Sequence, residues 1–389
     1  MDEIFQGKRI TTIREARGIT MRQLARQMNV TVTAVQAWET GKSQPIKEHL
    51  FNLTTNLNVP RSYFYKPLKQ DGYVASNFFF RSRANARIVQ KKMATRRVEW
   101  LFELLDILGE YIVLPNVQIF DICKGDRYDY SQPEIEQIAL DARKAMGLSG
   151  NNPIENITSL CESSGIVVSQ FMISNSLDAF SLIANVSGEN RPLILVDTIK
   201  DSPGRLRFSI AHELGHLFLH RNLSNNIVLS DLHKEIERQA DQFAAAFLLP
   251  KELFTERVHF HGTALEDLIQ LKREWRVSIM AIIHRMTDLN IIKTDYARRL
   301  YQRLSYQGYR KKEPGDDFIP FEEPSLFNLA FSTMEEGGID PVELIRERMT
   351  IPGTDIDDLI GKKIFAESNF ATLQGKVVSI NFLKEAKEE

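Results

Sequence analysis

His212-Glu213-Leu214-Gly215-His216 places two imidazoles four residues apart, so on a helix they share one face about 6 Å apart along the axis and can straddle a single metal ion. Glu213 lies between them, where a carboxylate can take a proton from water polarised by that ion. The motif closes the stretch Arg205-Leu206-Arg207-Phe208-Ser209-Ile210-Ala211-His212-Glu213-Leu214-Gly215-His216.

A hydrolytic zinc keeps three protein ligands and leaves one position open. Glu237 is the candidate for the third. It opens a helical stretch, Glu237-Arg238-Gln239-Ala240-Asp241-Gln242-Phe243, that sets Asp241 one turn further along the same face. There Asp241 can accept a hydrogen bond from the back of a ligand histidine and fix its tautomer. The stretch ends at Leu248-Leu249-Pro250, where proline stops a helix. The longer pattern His-Glu-x-x-His-x-x-Gly-x-x-His is excluded, because Leu219 and Asn222 stand where it needs glycine and histidine. His220 falls on the same face as the motif, but its backbone lies about 12 Å along the axis from that of His212, so it reads as a structural or supporting residue.

These three linked segments, in this order, resemble the ImmA/IrrE metallopeptidases over about residues 130 to 290. The resemblance implies a compact, α+β, zincin-like domain that cuts repressor-type DNA-binding proteins. It assigns zinc to His212, His216 and Glu237, and the general base to Glu213.

A second pattern opens the chain. Ile10 to Arg17 reads as a short amphipathic helix, Thr20 caps a second through Met28, and Thr31 caps a third that ends at Gly41. Leu24, Ala25, Val35 and Trp38 would hold the last two helices across each other around the turn at Asn29-Val30. These residues, with Glu39, Gly41, Lys42 and Pro45, resemble the repressor-type (XRE, Cro-like) helix-turn-helix domain over about residues 7 to 66. The resemblance implies DNA binding, with Val32, Thr33 and Gln36 facing base edges and Arg22, Thr31 and Lys42 placed for phosphates. Met21 stands where such domains often carry glutamine.

Charge agrees with this division. The first hundred residues hold 18 basic against 7 acidic side chains, an excess of 11 in a chain of net charge −2, so the remainder carries −13. Positive excess at one end points that end toward a polyanion. Part of it lies in Arg81, Arg83 and the run Lys91-Lys92 to Arg96-Arg97, which could continue a phosphate track or simply line an exposed helix. A near-neutral total and 43% hydrophobic residues suit packed cores and exclude a wholly nucleic-acid-coating protein. No apolar run approaches the ~20 residues of a membrane span. Met1-Asp2-Glu3 leads straight into a polar helix, and two lone cysteines, Cys123 and Cys161, fit a reducing cytoplasm.

The expected fold is multidomain, mainly α with a small sheet. An all-α helix-turn-helix domain (7–66) leads through a linker and connecting helix (67–129) to the peptidase-like domain (130–300), and a small module of unknown role closes the chain (318–389). Strands are expected at Gly165 to Phe171 and Pro192 to Asp197, the latter as an edge along which a peptide substrate could add. Phe254 to Leu300 reads as helical, and Lys311 to Asp317 as a polar linker.

Two functions follow. One is a cytoplasmic, DNA-tethered zinc endopeptidase that cleaves a repressor or antitoxin-like partner and so relieves repression, with a palindromic operator and a homodimer as the expected binding mode. The other is an idle peptidase fold serving a transcription regulator as sensor or dimerisation platform. Retention of Glu213, a residue that an idle domain could lose freely, favours the first.

Overall fold

The computed structural model describes residues 4–66, 76–82, 88–117, 122–170, 177–186, 188–196, 202–223, 232–310, 312–349 and 351–365. Its internal contacts gather residues 1–74, 83–113 and 327–389 into one unit, and residues 75–82 and 114–326 into another.

The first unit opens with four helices, α1 (Gly7–Ala16), α2 (Met21–Gln27), α3 (Val32–Glu39) and α4 (Lys47–Leu57), followed by a short 3-10 turn at Arg61–Phe64. Thr20 caps α2 in a reciprocal box with Gln23, and the Thr31 hydroxyl caps α3 by accepting from the Ala34 amide. Leu24, Ala25, Val35 and Trp38 are all buried, as the helix-turn-helix pattern requires. The turn between α2 and α3 puts Asn29 at φ 53°, a left-handed position that asparagine tolerates. A buried ion pair that the motif does not announce braces the domain: Arg14 grips Glu39 with Nε and Nη2, at 2.7 and 3.1 Å.

The long helix α5 (Ile88–Gly109) packs on α1 within this unit. Three of its basic residues are engaged there. Lys92 and Arg96 both bind the buried Glu15, at 2.8 and 3.0 Å, and Arg97 donates to the Ala16 carbonyl. Lys92, Arg96 and Arg97 therefore serve helix packing within this unit.

The second unit holds a four-stranded sheet in the order β1-β3-β4-β2, built from β1 (Ser76–Ser82), β2 (Val167–Gln170), β3 (Leu177–Val186) and β4 (Glu189–Val196). β3 and β4 form an antiparallel hairpin around Gly188, whose φ of 88° suits the turn, while β2 runs parallel to β4. β4 is thus an interior strand bonded on both sides, which corrects its expected role as a substrate-accepting edge. Its Pro192 to Val196 run is buried on both faces, the mark of a central strand. Ser76–Ser82, expected within the linker and connecting region, instead adds to the sheet beside β3.

Around the sheet stand α6 (Gln132–Ala145), α7 (Ile157–Ser163), α8 (Pro203–Leu219), α9 (His233–Leu248), α10 (Lys251–His261), α11 (Leu265–Trp275), α12 (Ile279–Asp288) and α13 (Thr294–Tyr306). Pro203 at the first turn starts α8, and apolar residues on every side of it make it the central core helix. Phe218, Phe243 and Phe247 stack in succession between α8 and α9, with ring centroids 5.3 and 5.7 Å apart. The helical span expected over Phe254 to Leu300 is divided among four helices, with a left-handed Arg276 breaking the chain before Ser278 caps α12.

The segment after α13 is an integral strap of this unit, which corrects its reading as a polar linker. Glu313 and Asp316 close on the buried Lys272 at 2.8 and 2.6 Å, and Glu313 also accepts from the Ile279 amide at the start of α12. Further along, Glu322 pairs with the buried Arg207 of α8 and accepts from the Thr158 amide. Beyond the strap, α14 (Leu326–Glu336), α15 (Pro341–Met349) and α16 (Gly353–Ile360) belong, from residue 327, to the unit of the helix-turn-helix. There α15 and α16 pack against α5. Multidomain and mainly α with a small sheet, the architecture is the one the sequence predicts. Among the described residues, no helix is long and apolar enough to cross a membrane.

Candidate metal centre

α8 and α9 meet along their small residues. Gly215 faces Ala240 so closely that a Cβ at 215 would lie 3.1 Å from the Ala240 backbone, and this approach sets Glu237 of α9 over the two histidines of α8. His212 Nε2 lies 3.0 Å from His216 Nε2 and 3.6 Å from Glu237 Oε2, while His216 Nε2 lies 3.3 Å from Glu237 Oε1. A tetrahedral ion with bonds of ~2.0–2.1 Å holds its ligand atoms about 3.3 Å apart, so the donor set fits such an ion. His212, His216 and Glu237 are the one group among the described residues with metal-binding chemistry and spacing.

The surroundings favour that occupant. Both histidines are buried, whereas the Glu237 side chain keeps 22% of its surface exposed. Asp241, half-exposed one turn on, accepts from His212 Nδ1 at 2.7 Å. That bond leaves the His212 Nε2 lone pair turned toward Glu237 and His216.

Glu213 is fully buried between the two histidines in sequence. Its Oε2 accepts from the hydroxyl of Ser181 on β3 at 2.7 Å, and its Oε1 has no hydrogen-bond partner among the described residues. A polar oxygen buried without a partner is costly, so this atom is placed to accept from a proton donor that reaches it.

His220 lies behind the centre, as its position on the helix suggests. Burial, with His216 beside it, pushes its pKa down to about 3. Its ring bridges His216 Nδ1 at 3.2 Å and Gln239 Oε1 at 3.1 Å. Sequence reasoning missed Ser181 and Gln239. No motif marks a serine in the middle of a strand, although Gln239 sits inside the same helical stretch as Glu237 and Asp241.

In the other unit, Arg22 is exposed at the start of α2, and Thr31, Val32, Thr33 and Gln36 are exposed at the start and along the first half of α3. Lys42 is exposed just past the left-handed Gly41 that ends α3. The structure therefore brings Val32, Thr33 and Gln36 together on one solvent face, at the end of a helix of this type that enters the major groove.

A buried helix with two histidines four apart, an acidic ligand from the next helix and a buried carboxylate between them defines the pattern of a metallopeptidase centre. Residues 161–287 match the model of the IrrE N-terminal-like domain, and residues 10–64 match that of the helix-turn-helix, so the chain joins these two domains. The chain is 30% identical to the radiation response metalloprotease IrrE of Deinococcus radiodurans over 104 residues, 24% of this chain and 31% of the relative. It is 30% identical to that of Deinococcus deserti over 115 residues, 27% of this chain and 40% of the relative. The matched stretches thus span well under half of either relative. A transcriptional regulator of Mycobacterium tuberculosis is similar at 18% identity with a TM-score of 0.30, over 48% of this chain and 51% of that one.

Proposed function

We propose that this protein is a zinc-dependent endopeptidase that carries its own DNA-reading domain and cleaves a protein partner of the repressor or antitoxin class, relieving repression. The observation that carries the reading is the centre itself: three ligand atoms within bonding distance of one point, on a helix that also carries the buried Glu213, one of whose oxygens has no partner among the described residues. Zinc held by His212, His216 and Glu237 would polarise the scissile carbonyl and lower the pKa of water at its open position to about 7. Glu213 Oε1 is then the group that takes the proton and passes it to the leaving amine. Ser181 holds the other oxygen of that carboxylate, which keeps the base in one orientation through both transfers. The two matched relatives are themselves named as metalloproteases, which supports the reading.

The partner class rests on the company the peptidase-like domain keeps. A helix-turn-helix in the same chain brings the centre to DNA, where repressor-type proteins sit, and a palindromic operator read by a homodimer is the expected binding mode. Together with the lone cysteines, this suits a cytoplasmic protein.

The test is Glu213→Gln, which is nearly isosteric and leaves all three ligands in place. New protein N-termini are counted in cells expressing the zinc-loaded wild type or the variant. The variant is expected to retain one zinc per chain and lose the wild-type cleavage products. Equal cleavage by both proteins removes Glu213 as base. A wild type that generates no new termini in any condition while still regulating transcription leaves the platform function in its place.

A further inference from the structure

The hydrogen bonds behind His216 form a relay whose direction can be read from its outer end. Gln239 Nε2 lies 2.6 Å from the Tyr128 carbonyl and 2.9 Å from Glu235 Oε1. Both partners only accept, the Glu235 carboxylate being held by Arg238 at 2.8 Å, so both protons of the amide are used and its orientation is fixed. The Gln239 oxygen therefore faces His220 Nε2 as an acceptor, and His220 carries its proton on Nε2. In the neutral ring His220 Nδ1 is then an acceptor, and the proton between it and His216 belongs to His216 Nδ1. His216 Nε2 is left with a lone pair.

Asp241 fixes His212 in the same state from the other side. Two Nε2 lone pairs consequently oppose each other at 3.0 Å with no proton to share, an arrangement that a cation between them turns from repulsive to favourable. We propose that His220 and Gln239 are positioning residues that preset the metal-binding tautomer of His216, doing for it through a neutral relay what Asp241 does for His212 through a carboxylate. This inference rests on the metal-centre reading, and deepens it by adding the residues that hold the second histidine. His220 and Gln239 are fully buried, and neither is one of the three ligands.

The test is zinc affinity of the full chain, measured by competition with a chromophoric chelator, with thermal melts to verify folding. His220→Phe keeps the ring volume and removes the acceptor, so zinc should bind about 10- to 100-fold more weakly. His220→Asn sets an amide oxygen near the place of Nδ1 and should stay within about threefold of wild type. A pure packing role predicts the reverse order, because phenylalanine fills the site better than asparagine. Should substitution within α8 prevent folding, Gln239→Leu on α9 releases the relay from its outer end and should cost on the order of tenfold. His220→Phe or Gln239→Leu binding zinc like wild type, or asparagine failing as badly as phenylalanine, overturns the relay while leaving the centre standing. A wild-type chain that takes up no zinc removes both.

Discussion

Replacing Gly215 by alanine sets two local effects against each other, and the geometry decides between them. In a helix interior alanine is favoured over glycine by about 0.8–1.0 kcal/mol, so the substitution would ordinarily stabilise α8. Here the new methyl would lie 3.1 Å from both the Cα and the carbonyl oxygen of Ala240 and 3.3 Å from Phe243 Cβ. Relaxed carbon contacts begin near ~3.5 Å, so α8 and α9 must separate locally by about 0.4 Å. Overpacking of this kind costs about 1–3 kcal/mol, which cancels or exceeds the helical gain. The larger consequence falls on the centre. Glu237 is less than one turn before Ala240 on α9, and metal bonds tolerate only about ±0.2 Å, so the acidic ligand moves by about twice its allowance. Zinc affinity should fall on the order of tenfold, equivalent to about 1.4 kcal/mol. Chelator competition measures that loss directly. Melts with and without zinc should show a smaller metal-induced rise for Gly215→Ala than for wild type. If the variant binds zinc within about twofold of wild type and melts higher without metal, the close approach does not set the ligand geometry and helix propensity governs the site.

Two further outcomes are expected. Lys272→Ala leaves Glu313 and Asp316 buried without their cation and should cost about 3–5 kcal/mol in chemical denaturation of the full chain; a loss under about 1 kcal/mol would mean the strap is not bound through this cluster. Gln36→Ala should relax base preference at one operator position, whereas Lys42→Ala should weaken every duplex alike and lower the salt dependence by about one unit of log-log slope; selection from a random duplex pool at several salt concentrations separates the two, and unchanged preference in both removes these residues from the interface.

The grouping of the candidate ligands was legible because metal-binding chemistry demands fixed spacing on one helix. His212 and His216 must be four apart, and a carboxylate ligand followed four residues later by its supporting partner repeats that period on the next helix. What spacing cannot express is the approach of the two helices. Gly215 reads as an unremarkable motif position until Ala240 is seen against it. Ser181 and Tyr128 reach the site from a strand and a loop, with no period shared with either helix, so pattern reading has no purchase on them.

The fold divides in the same way. Caps at Thr20 and Thr31 and the buried anchors Val35 and Trp38 act within a few residues of one another, and they were readable at that range. Charged residues were misread where burial depends on distant partners. The Lys311 to Asp317 stretch is polar enough for a solvated linker, yet Glu313 and Asp316 meet Lys272 some forty residues earlier in the chain and are buried with it. Lys92 and Arg96 of α5 likewise read as unpartnered charges until Glu15 is brought to them. In each case a formal charge reads as unpartnered because its counter-charge is far away in sequence. The same holds for DNA binding: the charge open to a polyanion is that of side chains the fold leaves exposed, such as Arg22, Arg26, Lys42 and Lys47 around α2 and α3, and not the excess as a whole.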